Sequence, residues 1–96
     1  MALIDDVKLA LRISHTAIDS DIQDVIDACL MDLKSSGIVI PDEKKEEYAL
    51  VKQAVKTYCK ANLGLENTES EKYQRSYDLL KQHMSLIAEF RGDSVV

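Results

Sequence analysis

Residues 5–33 read DDVKLALRISHTAIDSDIQDVIDACLMDL, and the part from Asp19 onward decides the fold. Ile22, Val25, Ile26, Cys29, Leu30 and Leu33 recur at steps of three and four, the period of one face of an α-helix. Asp19 is the natural cap of that helix, and Asp21 and Asp24 follow where negative charge offsets the positive end of the helix dipole. Upstream, a helix of barely two turns is expected to begin at Asp5, which would cap it, with Val7, Ala10 and Leu11 on one face. Ser14, His15 and Thr16 interrupt it, and the turn they form would bring Ile13 and Ile18 back to the same core.

Working toward the C-terminus, Gly37 supplies a helix stop because it accepts a left-handed backbone. Ile38-Val39-Ile40-Pro41 should be extended, as a loop over the core or, less readily, a short strand. A third helix is expected from Asp42 or Glu43 to Asn62, with Tyr48, Val51, Val55, Tyr58 and Cys59 as its apolar seam, Ala54 allowing close approach and Gly64 ending it. After a polar connection over Leu65 to Ser70, the residues Tyr73, Tyr77, Leu80, Met84 and Ile87 alternate steps of four and three along a fourth helix that Gly92 would close. The fold class predicted is all-α. The domain is single and small, covering 1–96, with about four helices (one short and N-terminal, three long and amphipathic) and a flexible tail over 92–96.

Composition agrees with this and narrows the function. Of 96 residues, 46 % are hydrophobic and 30 % charged, as expected of a soluble helical domain, and the one proline and three glycines leave long stretches free of helix breakers. No stretch approaches the roughly 18 consecutive apolar residues that span a bilayer, so neither an anchor nor a signal peptide is expected, and no membrane partner. Cys29 and Cys59 sit among apolar helical positions without companions at metal-ligand spacing and read as buried free thiols, which suits a reducing compartment.

Nothing in the sequence assembles a reaction centre. His15 and His83 have no partners at zinc or di-iron spacing, and Asp19, Asp21, Asp24 and Asp27 lack the glycine and terminal glutamate of a calcium loop. No serine lies in a nucleophile elbow and the glycines are isolated, so no phosphate loop exists. No catalytic residue, metal or cofactor is expected.

Charge is more informative. The net charge of -5 lies wholly before Lys34: up to Leu33 seven aspartates stand against Lys8 and Arg12, and beyond it ten acids balance ten bases. A domain that grips duplex DNA needs a net basic face, and a recognition helix opening on three acids at Asp19 is unsuited to base edges, so a helix-turn-helix regulator is disfavoured. Lys52, Lys56 and Lys60, spaced by four, share a face of the third helix, whereas Ser20, Asp24 and Asp27 mark an acidic face on the second. Both faces read either as merely solvated or as the two halves of a head-to-tail contact between copies. The tyrosines read either as half-buried core edges or as interface residues, with Tyr73 and Tyr77 the candidates for contact.

The motifs also have a recognisable order. Leu9-Ala10-Leu11-Arg12-Ile13, then Asp19-Ser20-Asp21-Ile22 with Val25-Ile26-Asp27-Ala28-Cys29, then Val51-Lys52-Gln53-Ala54-Val55-Lys56-Thr57-Tyr58, then Tyr73-Gln74-Arg75-Ser76-Tyr77-Asp78-Leu79-Leu80 resemble the small head-tail connector proteins of long-tailed bacteriophages and prophages, often labelled head-completion or DNA-packaging proteins. The resemblance covers nearly the whole chain. It implies a non-enzymatic virion part at the head-tail interface, made in the host cytoplasm. Copies would form a ring under the portal protein after packaging, extend the channel through which DNA passes, and dock the next connector or tail component. Asp21, Asp24 and Asp27 would then suit a channel wall that repels phosphate. The brief segment after Gly92 departs from the pattern and puts in question any portal contact made through a longer C-terminal segment. From another class, a small cytosolic helical adaptor or regulator binding one protein partner is the alternative.

Overall fold

The computed structural model describes residues 3–63 and 69–91. These form α1 (Leu3–Leu11), α2 (Asp19–Ser35), α3 (Tyr48–Leu63), α4 (Ser70–Met84) and a final helical turn, α5 (Ala88–Arg91), and no strand occurs among them. The all-α class and the four principal helices are as expected. No helix among the described residues is long and apolar enough to cross a membrane. Gly64, the 65–68 part of the connection, Gly92 and the tail lie outside the described residues.

α3 is the central element, packed against α1, α2 and α4. Val51, Ala54, Val55 and Cys59 on it are fully buried, and Ala54 keeps the approach close. α2 contributes Ile22, Ile26, Cys29 and Leu33 to the same core, with Val25 and Leu30 packed at its edge, so the stripe read from the sequence is the buried face. Ile13 and Ile18 pack against that core as expected.

The helix ends show where local chemistry differs from expectation. α1 starts at Leu3, ahead of Asp5, which with Asp6 instead occupies the first turn and opposes the dipole there. It closes with Ile13 N–H donating to Lys8 O at 2.9 Å, a six-residue closure that puts Arg12 at φ +60, a left-handed position usually given to glycine. α2 has Ile18 at its cap with no side-chain cap bond; Asp19 is already the first helical residue, and its carboxylate lies 2.7 Å from Lys8 Nζ, tying the start of α2 to α1. At its other end α2 closes in the same way as α1, with Ile38 N–H on Leu33 O at 3.0 Å and Gly37 at φ +88, and Ile38 and Leu33 are buried together.

α3 begins at Tyr48, several residues later than expected. Asp42 to Glu47 carry six charges and nothing apolar, and Asp42 competes for the backbone: its Oδ1 accepts from Lys44 N at 2.9 Å and its carbonyl from Lys45 N at 2.9 Å, making turns in place of a helix. The fourth helix is also broken. Ser85 Oγ donates to Gln82 O at 2.6 Å, the chain tightens over Ser85–Ile87, and α5 then carries Phe90 to 0 % exposure in the core. Phe90 O accepts from Val39 N at 2.7 Å, so the 38–41 link, a loop as expected, is stitched to the last turn.

Candidate functional site

Among the described residues no grouping of three or more His, Cys, Asp or Glu side chains could hold a metal ion. Its most connected polar contact joins two helices whose outward faces are exposed.

That contact is built by α2 and α4. Tyr77 Oη donates to Asp32 Oδ2 at 2.6 Å, and Lys81 Nζ donates to the same oxygen at 2.9 Å. Lys81 Nζ lies 5.3 Å from the Tyr77 ring centroid, Tyr58 packs edge-on to that ring at 4.9 Å, and Cys29 Sγ approaches Tyr77 Oη at 3.8 Å. The Tyr77 hydrogen bond, followed by that of Lys81, holds the Asp32 carboxyl below its ordinary range, while burial followed by the bond to Asp32 pushes the Tyr77 phenol up. Burial also pushes the Cys29 thiol up to about 11 and the Cys59 thiol to about 12, so both stay protonated at neutral pH. Both are buried free thiols, as read from the sequence. Tyr77 was expected among the contact residues; at 1 % exposure with its hydroxyl engaged, it serves the chain's own core.

The other expected contact residues divide. Asp21, Asp24 and Asp27 are all exposed on α2, with Asp27 accepting from Gln23 Nε2 at 3.0 Å. Asp24 and Asp27 share the outward stripe of the helix with Met31, which is 66 % exposed, whereas Asp21 sits about a quarter-turn round from it. The lysine row on α3 is half-covered by its neighbours. Lys52 Nζ lies 3.8 Å from Asp6 Oδ2, Lys60 Nζ sits 5.5 Å from the Tyr73 ring centroid, and only Lys56 of the three has no charge or ring partner among the described residues. Tyr73 itself is half-buried, its hydroxyl 3.4 Å from Glu69 Oε1. The row is thus mostly spent inside the chain, in keeping with α3 as the enclosed helix.

Sequence reasoning overlooked the outward face of α4. Lys72 and Arg75 are exposed there, followed by Leu79 at 60 % exposure and, past the helix end, Leu86 at 77 %. Leu9 on α1 and Val39 in the link are exposed as well. The signal was present: Met31 and Leu79 are large apolar residues out of phase with the buried stripes of their helices.

Comparison with known proteins bears on what such faces are for. A family model described as phage connector protein matches residues 3–91. No curated protein and no solved structure matches the chain. With the match running from the first residue of α1 to the last of α5, this chain belongs to the phage connector protein family, the structural head-tail connectors of phage assembly.

Proposed function

We propose that the chain is a head-tail connector subunit whose copies form a ring beneath the portal protein once DNA is packaged. In this role it extends the DNA channel and presents a platform to the next connector or tail component, at the head-tail interface of the virion. The observation that carries this reading is the family match over residues 3–91. The fold supports it: polar chemistry inside the chain is spent on packing, and the outward helix faces carry exposed charge and apolar side chains together.

Charge supports the channel role. The first third holds the whole net charge of -5, and Asp21, exposed and off the Asp24–Asp27 stripe, is free to face a channel without conflicting with a subunit contact. Acidic walls repel phosphate, which lets duplex DNA slide and keeps it from being gripped.

The test is to add the purified chain to DNA-filled heads that carry a portal but no tail, and to image the portal vertex. A ring of copies under the portal with Asp21 toward the lumen is the expected result. Heads that leave the chain unbound, or density that places Asp21 on the outer rim, would sink the reading.

A further inference from the structure

Two outward stripes on this chain match one another. On α2, Asp24, Asp27 and Met31 stand at i, i+3 and i+7, and on α4, Lys72, Arg75 and Leu79 stand at the same spacing. Each set spans about 60° of its helix surface. All six side chains are exposed, the four charged ones make no ion pair among the described residues, and the apolar ones are 66 % and 60 % exposed. One stripe reads acid, acid, apolar. The other reads base, base, apolar, in the same chain direction.

We propose that the α2 stripe of one copy lies parallel against the α4 stripe of the next, pairing Asp24 with Lys72, Asp27 with Arg75 and Met31 with Leu79. This rests on the connector reading and names the surfaces that would build its ring. Charge complementarity selects a second copy as the occupant, because the chain itself carries both halves at one spacing. At that offset Gln23 corresponds to Glu71, Ala28 to Ser76 and Lys34 to Gln82, and the one pair of like charges among the described residues, Asp21 with Glu69, lies about a quarter-turn off the contact line. Asp78, an acid of α4 beside the stripe, accepts from Gln74 Nε2 at 3.2 Å and lies to one side.

The position of the two helices within the chain supplies an independent argument. Cys29 meets Tyr77, Asp32 meets Tyr77 and Asp32 meets Lys81, at sequence separations of 48, 45 and 49, so the 29–32 turn of α2 lies level with the 77–81 turn of α4 and advances in the same direction. The proposed pairs are each separated by 48 residues, like the Cys29 and Tyr77 pair. A neighbour displaced sideways and turned about an axis along these helices, with no rise, therefore brings its α2 stripe level with this copy's α4 stripe. Head-to-tail contacts of that kind close into a ring; an axial offset would instead generate a filament.

The experiment measures self-association by sedimentation and native mass spectrometry up to about 1 mM chain at low salt, using the full chain and two charge-reversed variants, D24K/D27K and K72E/R75E. The wild type should associate, and each variant alone should associate at least about tenfold more weakly. An equimolar mixture of the two variants should recover association, since each supplies the face the other lacks. Helical circular dichroism checks that both variants are folded. As a second measurement, a chain carrying Met31→Cys and Leu79→Cys should cross-link into ladders on mild oxidation, the native thiols being buried. A wild type that stays monomeric, association indifferent to both reversals, or a mixture that fails to recover overturns the pairing. Indifference to reversal with a ring still seen at the portal vertex would reject this pairing and leave the connector reading standing; no binding at the vertex would reject the connector reading itself.

Discussion

Replacing Tyr77 by Phe removes one oxygen and keeps the ring, which makes it the cleanest probe of the contact between α2 and α4. The ring is 1 % exposed and packs edge-on to Tyr58 at 4.9 Å, so packing survives and the loss is mainly that of the hydrogen bond on Asp32 Oδ2, with the weak 3.8 Å contact from Cys29 Sγ beside it. Bonds to a charged partner contribute about 1.5–3 kcal/mol. The Asp32 side chain is 38 % exposed and retains Lys81 at 2.9 Å, so the carboxylate is not stranded and the low end applies, about 1.5 kcal/mol. In a domain of this size that lowers Tm by about 6–12 °C. Because Tyr77 and then Lys81 depress the Asp32 carboxyl, its contribution is fully present above the ordinary carboxylate range and is lost as pH falls through the depressed value. Urea unfolding followed by circular dichroism should therefore show the full penalty near neutral pH and a smaller one at about pH 2. A penalty under about 0.5 kcal/mol at neutral pH, or one equal at the two pH values, refutes the reasoning.

Gly37→Ala should cost about 1–2 kcal/mol through the backbone alone, since φ is +88 and a Cβ there meets no atom within 4 Å; Gly37→Asn should recover part of this, read by the same denaturation curves. Phe90→Ala, which empties a fully buried site between α5 and the core, should cost about 3–5 kcal/mol and release protection of the Val39 amide in hydrogen exchange. Stability should fall as pH rises above the ordinary thiol value of 9.0, because the folded Cys29 and Cys59 thiols are held up to about 11 and about 12 while the unfolded ones ionise; Cys29→Ala with Cys59→Ala should flatten that decline. The same thiols should react with a colorimetric thiol reagent at the rate of unfolding and not before.

What the sequence made legible was periodic. The Ile22–Leu33 stripe and the Val51–Cys59 seam form the buried faces that their spacing predicts, because burial on a helix repeats with the helix, and Tyr77, a candidate for contact between copies, follows the same period into the core with Met84. What escaped was local competition for backbone groups: Asp42 and Ser85 each capture a nearby group and move a helix boundary, a choice that periodicity does not encode. The surface is read from the sequence through charge and tyrosines, with charge the larger part. That located Asp24 and Asp27 correctly as exposed, but it favoured the lysine row of α3, whose side chains are half-covered once α1 and α4 are in place. Whether a charged row is free depends on how many neighbours its helix has, and that is a tertiary property.

The link among Asp32, Tyr77 and Lys81 has a geometric consequence for assembly. α2 and α4 both pack on α3, and this one carboxylate bridges them from the side, so a change in its reach would bear on the angle between their outward faces. In a closed ring the turn from one subunit to the next is the full circle divided by the number of members, and that turn is the angle between a subunit's two docking faces. Lengthening the strut by one methylene, Asp32→Glu, would splay the wedge without touching any interface residue. In the ring proposed above, curvature, and with it the count of subunits, would then be written within each subunit rather than at the joints between them.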